Sequence, residues 1–116
     1  MEFRFTDEQQ MIRETAEAFL REQSDAAAVR RAMATEQGFE SALWEELAGG
    51  MGWSAMHIPE EFGGLGLGAV ELVALMEEMG KRLLCAPFFS SVCLGSTAIL
   101  CAATEAQKAT LLPDIA

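Results

Sequence analysis

Residues 58–68 read Ile-Pro-Glu-Glu-Phe-Gly-Gly-Leu-Gly-Leu-Gly, with four glycines (Gly63, Gly64, Gly66, Gly68) inside six positions. Glycine loses more backbone freedom on folding than any other residue. A folded chain therefore keeps such a cluster where φ must be positive or where two backbones meet. The cluster cannot continue a helix, and a long helical pattern begins directly after it. A glycine loop ahead of a helix invites a phosphate-binding reading, but the details fit poorly. The dinucleotide fingerprint needs Gly-x-Gly-x-x-Gly after a strand, whereas the spacing here is Gly64, Gly66, Gly68, then Glu71. Glu60 and Glu61 place negative charge beside the loop, and Gly80-Lys81-Arg82 lacks the upstream glycine and the Ser or Thr of a phosphate loop. The segment reads as a structural turn between helices.

The remainder of the chain reads as helix almost throughout. Thr6 and Gln9 have the spacing of a capping box, and Asp7 and Glu8 suit the positive end of a helix over residues 7–23. Met11, Ile12, Thr15, Ala18, Phe19 and Glu22 follow its period. Ser24 and Asp25 cap a second, weaker helix to about residue 34, with Arg30 and Arg31 on a solvated face. Leu43, Trp44 and Leu47 mark a third helix over 41–48, which Gly49 and Gly50 end. Pro59 disfavours helix at Ile58. Over 69–83, Leu72, Met76, Met79 and Leu83 form an apolar stripe, opposite Glu71, Glu78 and Arg82. Glu77 with Lys81 and Glu78 with Arg82 have the spacing of i,i+4 ion pairs. Beyond Pro87 comes an uncharged helix over 90–103, and Thr104 with Gln107 caps a last helix to about Leu112. The expected fold is all-α, a bundle of five to six helices.

Charge narrows the function classes. Eighteen acids against eight bases give a net charge of −10. That balance argues against nucleic acid and anionic membrane surfaces, both of which are met by basic patches. Residues 83–103 carry no charge over a length that could cross a bilayer. Pro87, Gly95, Ser90, Ser91, Ser96 and Thr97 dilute their hydrophobicity, so a buried helix is expected rather than a membrane span. No signal peptide is expected, since Met1 to Phe5 is too short a stretch and acids follow at once. Cys85, Cys93 and Cys101 form no disulfide framework and point to a reducing compartment, the cytoplasm. On one helix, Cys93 and Cys101 would lie about 12 Å apart, too far to bridge. No metal site is expected either, with His57 the chain's one histidine.

Catalytic side chains are scarce. His57 sits between Met56 and Ile58 with no evident partner. The adjacent acids Glu60–Glu61 and Glu77–Glu78 do not converge as paired-carboxylate chemistry requires. No Ser/His/Asp or Cys/His arrangement is present. The uncharged helix is more informative, because Phe88, Phe89, Val92, Leu94, Ile99 and Leu100 cover more than one face among small residues. Core packing, an oligomer face and the wall of an apolar ligand slot all fit that pattern.

The order of these features resembles one family. Phe5-Thr6-Asp7-Glu8-Gln9 opens a helix containing Ile12-Arg13. Gly52-Trp53 precedes Pro59-Glu60-Glu61-Phe62-Gly63-Gly64, then Gly66 and Glu71. Glu77-Glu78-Met79-Gly80-Lys81 closes the next helix, and Thr104-Glu105-Ala106-Gln107-Lys108 leads to Leu111-Leu112-Pro113. Over essentially the whole chain this resembles the N-terminal helical domain of the acyl-CoA dehydrogenase family.

The resemblance implies a flavoprotein that oxidises the α,β bond of an acyl-CoA thioester: a carboxylate removes the α-proton and the β-hydride passes to FAD. It makes residues 1–116 the first domain, with the β-domain, the C-terminal helical domain, the catalytic glutamate and most flavin contacts outside this chain. No catalytic residue is expected here, and no turnover or stable flavin in the chain alone. By the same resemblance, Phe88, Phe89, Ser91, Val92 and Gly95 form part of the wall around the acyl chain. The implied partners are an acyl-CoA, an electron-transfer flavoprotein and further subunits of a homo- or hetero-oligomer. Leu83-Leu84-Cys85-Ala86-Pro87-Phe88 resembles bacterial members that take bulky acyl-CoAs and pair with a related subunit. The alternative is a stand-alone helical interaction module that uses residues 83–103 as a dimer face.

Overall fold

The computed structural model describes residues 3–116, and all regular structure among them is helical. The six α-helices are α1 (Asp7–Gln23), α2 (Ala26–Met33), α3 (Ser41–Glu45), α4 (Ala69–Lys81), α5 (Thr97–Ala102) and α6 (Glu105–Ile115). Two stretches widen to π-helix, Glu46–Gly50 after α3 and Phe89–Ser96 before α5. Single 3₁₀ turns form at Trp53–Ala55 and Glu60–Phe62. The chain divides into two compact units. One holds the stretch up to Gly38 with Ala69–Cys85, and the other holds Phe39–Gly68 with Ala86–Ala116.

In the first unit α1 packs along α4. The capping box of α1 forms as expected, with Gln9 N donating to Thr6 Oγ1 and Thr6 N donating to Gln9 Oε1. The Gln9 amide also reaches α4, where its Nε2 donates to Glu71 Oε1 at 2.8 Å. Ala16 and Leu20 of α1 are buried, and so are Ala74, Leu75 and Met79 of α4. Each buried leucine contributes about 1.5–3 kcal/mol through area removed from water. The inward faces differ from those expected. Met11 is 64% exposed, while Ala16 and Leu20 point inward. On α4 the buried face includes Glu78, and Leu83 lies outside the helix, 71% exposed. α2 is capped by the Asp25 side chain, which accepts from Ala28 N at 2.7 Å, and Arg30 and Arg31 are exposed.

α4 ends in a turn of the kind usually made by glycine. Leu83 N donates to Gly80 O, Leu84 N donates to Met79 O, and Leu83 adopts φ +52°. These bonds satisfy carbonyls at the helix end, at the cost of a left-handed leucine.

In the second unit Leu47, Trp53, Met56, Ile58, Phe88, Val92 and Leu112 are buried. Gly49 and Gly50 do not end the third helix. They lie inside its π-helical continuation, and the chain turns at Gly52, at φ +69°. The last helix runs past Pro113 to Ile115, with its Thr104–Gln107 capping box in place.

Candidate functional site

The glycine cluster folds back on the segment before it. Leu65 N donates to Ala55 O, Gly66 N to Ile58 O and Leu67 N to Met56 O, each at 2.9 Å. Gly63 and Gly66 take positive φ, +85° and +65°. Gly64 lies so close to the Ile58 carbonyl that a Cβ there would collide with it. The amides of Gly64 and Gly66 are thus spent on chain carbonyls, and the structural reading of the loop holds.

His57 sits on the same folded-back segment. Its Nε2 lies 3.4 Å from Thr97 Oγ1 at the start of α5, and its Nδ1 is buried without a hydrogen-bond partner. Burial pushes its pKa down, which favours the neutral ring. No carboxylate is bonded to either ring nitrogen among the described contacts, so the ring lacks the orienting partner of a general base.

The candidate wall residues fall on the π-helical stretch and its first turn. Phe88 and Val92 are buried, at 3% and 0% exposure. Ser91 and Gly95 are half-buried, and Phe89 and Leu94 are each 56% exposed. The five residues therefore do not share one surface. Phe88 and Val92 face inward, whereas Phe89 offers an apolar ring to solvent. The π-turns bring Ser96 Oγ to within 3.1 Å of Ser91 O, and a Cβ at Gly95 would sit 3.2 Å from Ser90 O. Wider turns of this kind redirect side chains at functional positions, and the uncharged sequence gave no periodic sign of them.

A charged cluster in the first unit was not legible. Glu78, 2% exposed, accepts from Arg13 Nε at 2.8 Å and from Lys81 Nζ at 2.6 Å. Arg13 also lies 3.7 Å from Glu77 and over the ring of Phe5. These contacts replace the expected Glu77–Lys81 and Glu78–Arg82 pairs. Burial pushes the Glu78 carboxyl up, but the bonds from Lys81 and Arg13 outweigh it and hold the group below its ordinary range. The cluster ties α1 to α4, an arrangement that fits a structural role.

No group of three or more potential metal ligands occurs among the described residues, and none of the three cysteines is in a disulfide. Burial raises the Cys93 thiol pKa. Among the described residues no helix is long and apolar enough to cross a membrane.

A family model described as acyl-CoA dehydrogenase, N-terminal domain, matches residues 6–116. The chain belongs to this family. It is 36% identical over 107 residues to the acyl-CoA dehydrogenase IpdE2 of Mycobacterium tuberculosis, covering 91% of this chain and 33% of that protein. It thus spans about a third of the length of that relative. Among solved structures it is similar to the Tcur3481-Tcur3483 steroid ACAD in a variant form, with 28% identity and a TM-score of 0.84. That match covers 94% of this chain and 29% of the other. A second is the electron transferring flavoprotein structure of Acidaminococcus fermentans, at 29% identity and TM-score 0.80, covering 100% of this chain and 30% of that one. The ChsE4-ChsE5 complex of Mycobacterium tuberculosis shares the fold, at 23% identity and TM-score 0.76, over 99% of this chain and 29% of that one.

The acyl-CoA dehydrogenase family implies FAD, and the unit carrying the candidate wall does not fit that group by itself. A dinucleotide pyrophosphate needs cations or free backbone donors. Across residues 39–68 and 86–116 the sequence holds one Lys or Arg, Lys108, and its ammonium is bonded to Glu105 at 2.9 Å. In the glycine cluster of the same unit, the amides of Gly63, Gly64 and Gly66 are already engaged.

Proposed function

We propose that this chain is the N-terminal domain of an FAD-dependent acyl-CoA dehydrogenase, with its β-domain and C-terminal helical domain in further polypeptide. The observation that carries the reading is the family match across residues 6–116. In this reading the domain lends an apolar surface to the acyl group, with Phe89 and Leu94 the exposed members. Phe88 and Val92 hold that stretch from behind, and Ser91 and Gly95 border it. A bulky, ring-bearing acyl-CoA is the substrate class favoured by the likeness to a steroid ACAD. A related subunit and a flavoprotein electron acceptor are the partners in keeping with these relatives. In this reading the base and the flavin cradle belong to that further polypeptide, and this chain alone turns nothing over.

The test uses the product of the gene that contains this chain. Ring-bearing and straight-chain acyl-CoA thioesters are added anaerobically, and bleaching of the flavin band is followed. Bleaching by the ring-bearing thioester is expected, with Phe89→Ala raising KM for it at unchanged flavin content. If no acyl-CoA bleaches the protein, or none contains flavin, the reading is lost.

A second reading, a helical interaction module, draws on the exposure of Phe89 and Leu94, 56% each. It predicts a dimer that Phe89→Ser with Leu94→Ser dissociates, measured by sedimentation.

A further inference from the structure

Val29, Arg30 and Met33 of α2 face Lys81, Arg82 and Leu83 at the end of α4 across an open groove of about 450 Å³ in the first unit. It gathers three of the eight bases of a chain whose net charge is −10. Lys81 is bonded to Glu78, but the guanidinium groups of Arg30 and Arg82 have no ion-pair partner among the described residues. Asp25 also borders the groove, and its carboxylate is turned to the cap of α2. The rim is apolar and open to water, with Met33 70% and Leu83 71% exposed. Leu83 is held there in left-handed backbone, where glycine is the unstrained choice. Ser24 Oγ pins the same turn by donating to the Arg82 carbonyl at 3.2 Å. A strained residue that presents a large apolar side chain to solvent is a sign of use.

We propose that this groove docks a short acidic segment of a partner polypeptide, with an apolar side chain of that segment seated between Met33 and Leu83. Charge complementarity selects the occupant: two unpaired guanidinium groups suit carboxylates, which they can grip in bidentate fashion. The exposed leucine and methionine favour a peptide over a small anion, which would gain nothing from them. The charge of −10 disfavours nucleic acid and anionic membranes at long range. It also disfavours a broadly acidic protein face, whereas a short segment meets chiefly the charges within about 8 Å, the screening length at physiological salt.

The probe is a synthetic peptide of glutamates around a leucine-phenylalanine pair, titrated into the full chain while backbone amide shifts are recorded. Shifts are expected in α2 and at residues 80–84. Arg30→Glu with Arg82→Glu should weaken binding by roughly tenfold or more, the loss of one sizeable contact. Arg4→Glu with Arg21→Glu, which changes net charge equally outside the groove, should leave it unaltered. Leu83→Gly removes the anchor and relieves the backbone, so it should weaken the peptide in a protein that is at least as stable. The proposal is overturned if the shifts map elsewhere, or if a lysine-for-glutamate peptide binds equally well. Displacement by inorganic phosphate alone would make this a small-anion site instead. Failure of the intact gene product to bind a peptide that this chain binds would mean its own remaining polypeptide covers the groove, which also overturns it.

Discussion

The Glu78 carboxylate is almost wholly out of water, between Arg13 and Lys81. Its pKa is held below the ordinary value, so the folded state binds its proton less readily than the unfolded state. The stability this contributes is fully present above the unfolded pKa of about 4.3 and is lost as pH falls through the folded value. Glu78→Gln should destabilise the chain by about 1–2 kcal/mol at neutral pH, the worth of a charge-assisted hydrogen bond. In acid, denaturant melts of variant and parent should converge; a constant gap down to low pH would contradict this. At Gly64 the argument is steric. Gly64→Ala places a methyl against the Ile58 carbonyl and should cost about 3 kcal/mol in the same melts. The glycine density was visible in the sequence. Which glycine is irreplaceable was not, because that depends on which carbonyl passes over it.

Capping is written locally, and the helix starts at Thr6 and Thr104 were readable from residues three apart. Thr104→Ala removes the side chain that accepts from Gln107 N and should lower stability by about 1 kcal/mol. Helix ends were read less well. Leu83 continues the apolar stripe of α4 on paper, yet the helix has ended at Lys81 and the leucine turns outward. Leu83→Gly should therefore stabilise the chain by about 1 kcal/mol, seen as a raised Tm. The widening of Phe89–Ser96 to π-helix also escaped the pattern. A stretch without charges has no polar face against which a shift in period can be noticed.

The whole chain sorts its bases unevenly. Seven of the eight Lys and Arg residues lie in the unit of α1, α2 and α4, and Lys108 is the one in the other. If most flavin contacts belong to further polypeptide, FAD added to this chain should keep the fluorescence of free flavin. Quenching that saturates at micromolar flavin would place a flavin site here. Family membership was legible because it is carried by the linear order of short motifs, and the membership is borne out across residues 6–116. The arrangement of the candidate wall was not, because neighbours in sequence such as Phe88 and Phe89 part company once one is buried and the other is exposed.

The sequence by itself determined the helical class, the capped helix starts, the glycine turn and the family, all set by local backbone preference and motif order. Only the tertiary structure decided that Glu78 is buried between two cations and that Gly64 lies under a carbonyl. It also decided that Leu83 faces water beside two unpaired arginines. Arg13 and Arg30 reach Glu78 and Leu83 from distant parts of the sequence, and Gly64 meets Ile58 only because the chain folds back there, so packing decides what no local pattern encodes.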